Sequence, residues 1–97
     1  MSHQLSIIIK ALKELKPELV QKYAVSSIGL FGSVVRDDYN PTSDIDIIVE
    51  FSQPIGIEFI DLADVLENKL KKPVDLVSRK GIKPKYYRAI ESEIVYV

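Results

Sequence analysis

Residues 44–51, Asp-Ile-Asp-Ile-Ile-Val-Glu-Phe, restrict the fold of this chain more than any other stretch. Side chains on a strand alternate between its faces, so Asp44 and Asp46 share one face and Ile45, Ile47, Val49 and Phe51 the other. Carboxylates crowded in this way repel one another unless a cation neutralises them. An earlier apolar run, 27–31, ends in Gly32-Ser33, where glycine permits close backbone approach and serine supplies a hydroxyl and an N–H suited to phosphate. Together the two runs predict a divalent-metal site beside a phosphate-cradling turn.

The remaining elements follow from periodicity. Leu5, Ile8, Leu12 and Leu15 recur at helical spacing and predict an amphipathic helix over 4–15. Pro17 is unsuited to a helix interior and predicts the first turn of a second short helix, 17–23. A strand over 27–31, a short helix near 33–37 and a loop over 38–43 precede the strand at 44–51. Phe59, Leu62, Ala63, Leu66 and Leu70 make one apolar stripe of a helix over 57–70, and Pro-Val-Asp-Leu-Val carries a third strand at 74–77. A helical stretch over 84–92 and a short edge strand within 93–97 complete an α/β domain, a small sheet covered by helices.

With 97 residues, 46% hydrophobic and 28% charged, the chain fits one globular domain, 1–97, with a real core. It has no apolar stretch of about 18 residues for a membrane span and no secretory leader pattern, so a cytoplasmic protein without membrane association is expected. The absence of cysteine excludes disulfides and thiolate metal sites. A formal charge of −1 argues against general nucleic-acid binding. The charge is nevertheless segregated: 37–50 holds five acids and no base, and 79–88 holds five bases and no acid. The two could meet around a metal–triphosphate or an oppositely charged partner, or be two solvated faces.

Asp75 opposes strand propensity in the middle of Val-Asp-Leu-Val and so calls for a compensating reason. It lies 29 residues beyond Asp46 with one helix between, enough chain for a crossover that sets the third strand beside the second. One register brings Asp75 to Asp44 and Asp46, and three aspartates on one face would suit two Mg²⁺ ions ~3.5–4 Å apart, with Mn²⁺ also compatible. Glu50 shares their parity but lies ~13 Å along the strand from Asp46 and is not expected to be a ligand. The single histidine, His3, is assigned no catalytic role. Tyr86 and Tyr87 could stack on a base, but packing or partner contact explains them better.

Gly32-Ser33, ten residues, then Asp44-Ile45-Asp46 is the Gly-Ser-x10-Asp-x-Asp pattern of the DNA polymerase β-like nucleotidyltransferase superfamily. With Leu30-Phe31 before it and Val74-Asp75-Leu76-Val77 after it, nearly the whole chain resembles the minimal nucleotidyltransferases, the antitoxin half of HEPN/MNT toxin–antitoxin modules. The resemblance implies an α+β fold with a small mixed sheet flanked by helices. It implies Mg²⁺ held by Asp44, Asp46 and Asp75, with Asp75 also helping to activate the attacking hydroxyl. Gly32, Ser33 and Arg36 would contact the triphosphate of ATP. The implied activity is transfer of AMP to a hydroxyl, a tyrosine in such systems, of a HEPN-type toxin in a hetero-oligomer. Val34 and Asp37 depart from relatives that carry a basic or aromatic residue directly after the serine and a small residue at the position of Asp37.

Two other readings remain open at this level. A non-catalytic antitoxin would neutralise its toxin by binding, through the basic 79–88 segment and apolar residues near position 97, but would have no need of repelling carboxylates. A phosphatase using Asp44 as nucleophile and Asp46 as acid would leave Gly32-Ser33 unexplained. After the strands and helices are built, little of this sequence remains for an acceptor-binding domain, so the acceptor is expected on another chain.

Overall fold

A computed structural model describes residues 3–36 and 43–97. The predicted loop at 38–43, apart from Ser43, and the departure at Asp37 lie outside the described residues. Four strands, β1 (Val25–Phe31), β2 (Ile45–Phe51), β3 (Val74–Ser78) and β4 (Val95–Tyr96), form one sheet in the order β3-β2-β1-β4. The helices are α1 (His3–Tyr23), α2 (Ser33–Arg36), α3 (Glu58–Leu70) and α4 (Pro84–Ile90), the last running into a 3₁₀ turn at Glu91–Glu93. β1 runs antiparallel to β2 and β4, whereas β2 and β3, joined through α3, are parallel. A parallel neighbour needs such a crossover, and this helix supplies its covering layer. The sheet is mixed and the fold α+β.

Leu5, Ile8, Leu12 and Leu19 of α1 and Leu62 and Leu66 of α3 pack on Val25, Ile28, Leu30, Ile45, Ile47 and Val49. This core covers one sheet face. The expected break at Pro17 does not occur, for α1 continues through it to Tyr23. The apolar stripe carries on past the proline to Leu19, which is fully buried. Pro17 and Lys13, whose carbonyl loses its N–H partner, both lie on the exposed side, where water can replace the missing donor. Ala24, at φ 56, ends α1 in the left-handed region, and β1 begins there, two residues earlier than the alternation suggests. A register irregularity between Val25 and Ser27 is what hides this start, because it breaks the period of two.

β4 is short but closely fixed. Gly29 pairs with Tyr96 and Leu30 with Val95, while Val97 N–H donates to Ile28 O at 2.9 Å and Lys16 Nζ to Val97 O at 2.7 Å. Gly29 allows this approach, since a Cβ there would lie 2.6 Å from Ile94 Cγ2 and 3.2 Å from the Tyr96 ring. At the other edge, β3 is tied in by Ile45 N–H to Pro73 O at 3.0 Å, Arg79 N–H to Val49 O at 2.8 Å and Val74 N–H to Glu67 Oε2 at 2.8 Å.

Candidate active site

In the parallel β2–β3 ladder, Asp46 stands directly opposite Asp75. Ile45, Ile47 and Val49 turn into the helical layer, so alternation sends both carboxylates to the other face. Their side chains are close enough to share a hydrogen bond. Asp44, exposed just before β2, adds a smaller repulsion than Asp75 does. Partial burial, followed by Asp75 and then Asp44, pushes the Asp46 carboxyl up to about 6, with Arg36 pulling the other way. An acid raised by burial and like charge is a hallmark of functional sites, and a cation relieves both causes.

The turn after β1 closes against this pair. Gly32 has φ +77, and a Cβ there would collide with the Asp46 carboxylate. Glycine is therefore required both by backbone geometry and by the space Asp46 occupies. Its carbonyl accepts from Val35 N–H at 3.0 Å and Arg36 N–H at 3.1 Å, which starts α2 at Ser33. Val34 is buried in the core, so the side chain after the serine points away from the aspartates. Arg36 projects from the end of α2 within electrostatic reach of Asp46. Gly32, Arg36, Asp44, Asp46 and Asp75 are thus brought to one end of the sheet face opposite α1 and α3, with Ser33 following Gly32 in the same turn.

Periodicity did not single out Glu93. Its Oε1 accepts from Gly32 N–H at 2.9 Å and lies 3.3 Å from Arg36 Nη1. The only sequence signal was that an acid precedes a short edge strand. Its place beside Gly32 depends on how β4 registers on β1.

A mixed sheet with an aspartate pair across β2–β3 and a Gly-Ser turn against one of the pair is the arrangement to compare with known proteins. The family model for the nucleotidyltransferase domain matches residues 12–97. The chain belongs to the nucleotidyltransferase domain family. This nucleotidyltransferase is 38% identical over 95 residues to a Methanocaldococcus jannaschii protein named as a candidate protein adenylyltransferase, covering 96% of this chain and 97% of the relative. It is 40% identical over 83 residues to the protein adenylyltransferase MntA of Thermococcus cleftensis, with 84% of each chain covered. Its fold is similar to a solved structure described as a minimal nucleotidyltransferase, at TM-score 0.79 and 28% identity over 98% of both chains. A toxin–antitoxin structure with AMP-PNP matches at TM-score 0.70 and 27% identity, covering 95% of this chain and 70% of that one. A complex of tri-AMPylated Shewanella oneidensis HEPN toxin with MNT antitoxin matches at TM-score 0.61 and 26% identity, covering 96% and 67%.

Three aspartates in a nucleotidyltransferase raise the question of a metal. Among the described residues, no three His, Cys, Asp or Glu side chains are already gathered into a ligating cluster. The donor chemistry nevertheless fits a hard divalent cation: every donor is a carboxylate oxygen, and the Asp46–Asp75 pair is held together against its own repulsion.

A cavity of about 410 Å³ lies at the far end of β2, between Phe51, Pro54, Ile55, Phe59, Arg79 and Lys80. It contains none of the aspartates. The first two bases of the 79–88 segment therefore border this groove. Arg79 also lies 3.5 Å over the Tyr87 ring, whose hydroxyl is bonded to that of Tyr96. Tyr87 is accordingly a packed residue, while Tyr86 is exposed.

Proposed function

We propose that this nucleotidyltransferase is an antitoxin that transfers AMP from ATP to a hydroxyl, that of a tyrosine, on a HEPN-type toxin, with Mg²⁺ held by Asp44, Asp46 and Asp75. The observation that carries this reading is the direct pairing of Asp46 with Asp75 beside the Gly32 turn. Support for the acceptor comes from the relatives named as protein adenylyltransferases and from the tri-AMPylated toxin bound to an MNT antitoxin.

When bound, Mg²⁺ supplies charge neutralisation between the carboxylates and the triphosphate, which would otherwise repel one another. The Ser33 hydroxyl and Arg36 hold the β- and γ-phosphates, and Gly32, lacking a side chain, lets them approach the turn closely. Asp75 stands beside Asp46 at the reacting end and accepts the proton of the incoming hydroxyl. That oxygen forms a bond to Pα as the bond from Pα to the bridging oxygen of the β-phosphate breaks. Pyrophosphate leaves with the electron pair, and AMP stays on the acceptor.

The test is intact-mass spectrometry of a HEPN-type toxin encoded beside this protein, incubated with the chain, Mg²⁺ and each nucleoside triphosphate in turn. The expected outcome is a gain of one or more AMP masses with ATP, and none with the Asp44→Ala/Asp46→Ala variant. A stable complex that blocks the toxin with no mass gain would replace this reading by neutralisation through binding alone.

A further inference from the structure

Among the described residues, Glu93 is an acid in contact with the Gly-Ser turn that the chemistry above leaves unused. It comes from a different part of the chain, 61 residues after Gly32. Leu30 pairs with Val95 in the antiparallel β1–β4 ladder, and extending that register by two residues puts Glu93 across from Gly32. The ladder has ended at this point, so the Glu93 carboxylate takes the Gly32 N–H at 2.9 Å in place of a strand carbonyl. The same oxygen holds Arg36 Nη1 at 3.3 Å. The Glu93 side chain is only 22% exposed and that of Arg36 is 52% exposed, so the acid is the fixed partner and the arginine the movable one.

The electrostatics give this bond a consequence. Arg36 already attracts Asp46, and a guanidinium collapsed onto that carboxylate would compete with any cation the aspartates bind. Glu93 supplies the opposing pull and keeps Arg36 at the turn instead of over the acid pair.

We infer that Glu93 is a positioning residue for the triphosphate site, acting through Arg36: it holds the guanidinium at the Gly32 turn and away from Asp46. This rests on the nucleotidyltransferase reading given above. In the E93Q variant the amide oxygen can still accept the Gly32 N–H, while the charge that Glu93 presents to Arg36 is gone. In E93A both are lost.

The experiment is a double-mutant cycle in affinity for a non-hydrolysable ATP analogue with Mg²⁺, measured by calorimetry on wild type, E93Q, R36A and the E93Q/R36A pair. E93Q is expected to weaken binding about three- to tenfold in the wild-type background, the usual net worth of one hydrogen bond, and less than about twofold once Arg36 is gone. A loss of equal size in both backgrounds would overturn the inference, since Glu93 would then act only as a brace for the turn. Unchanged or tighter binding in E93Q would also overturn it, by showing that the carboxylate competes with the phosphates. Should E93Q fail to fold, E93D is read in the same cycle, its shortened side chain keeping the charge but withdrawing the oxygen from both Gly32 N–H and Arg36, so that only the part of the loss that disappears in the R36A background is assigned to Arg36. A wild-type chain that binds no analogue would reject the nucleotidyltransferase reading and this inference with it, whereas binding without coupling rejects only the inference.

Discussion

Asp46 is where stability and chemistry oppose each other most directly. Its carboxyl is raised from 3.8 to about 6 by burial first, then by Asp75 and Asp44. In the metal-free protein the folded state therefore keeps a proton that the unfolded chain has already released. Stability falls as pH rises through the window from about 4 to about 6 and stays lower above it. Asp46→Asn removes that penalty. With chelator present, the variant should melt above wild type at pH 7 and close to it near pH 4, while losing at least about 100-fold in transfer rate. Calorimetric melting against pH checks the first part, and an equal slope for both proteins between pH 4 and 6 would refute it. At this scale, Asp44, Asp46, Asp75 and Gly32 were legible because each breaks a local rule: acids opening or interrupting apolar strands, and a glycine where the chain must turn. Glu93 breaks none. Its partner is 61 residues away, and only the pairing of β4 with β1 reveals it.

The lesson at the level of elements comes from α1. A proline in a helix interior is about 3 kcal/mol worse than alanine, yet this helix runs through Pro17 because Leu19 belongs to the same buried stripe. Replacing it restores a donor for the Lys13 carbonyl, and the stiffness proline lends the unfolded chain returns roughly 1 kcal/mol of that gain. Pro17→Ala should thus stabilise the protein by about 1–2 kcal/mol in urea unfolding. A destabilised variant would mean that the proline ring itself packs usefully. The strands of the site and α3 were readable to within a residue, since an acid–aliphatic alternation, interrupted at Ile48, or an apolar stripe marks each of them and glycine or proline bounds them. The start of β1 was not, as the irregularity between Val25 and Ser27 disrupts its period. Nor could local pattern foresee a helix carried across a proline by packing further along.

For the molecule as a whole, the site depends on three strands and two turns that meet only in the folded state. Anything that binds there must stabilise the entire fold. Mg²⁺ with a non-hydrolysable ATP analogue at 100 times its Kd should add about 2.7 kcal/mol, which is roughly 10–20 °C in Tm for a chain of this size. The analogue with chelator should give only a small part of that shift in scanning calorimetry. Equal shifts with and without the cation would separate the aspartates from nucleotide binding. The parallel pairing of β2 with β3 has one more consequence, for what natural selection can detect. A slip by one residue would expose Val74 and Leu76, and lost burial would punish it at once. A slip by two leaves every apolar residue on its proper side and moves Asp75 only about 7 Å from its partner. Hydrophobicity is blind to that error. The backbone bonds of Pro73 and Val49 and the Glu67 carboxylate discriminate against it, so mutations that loosen the helix-to-strand connection could yield molecules that are soluble, compact and inert.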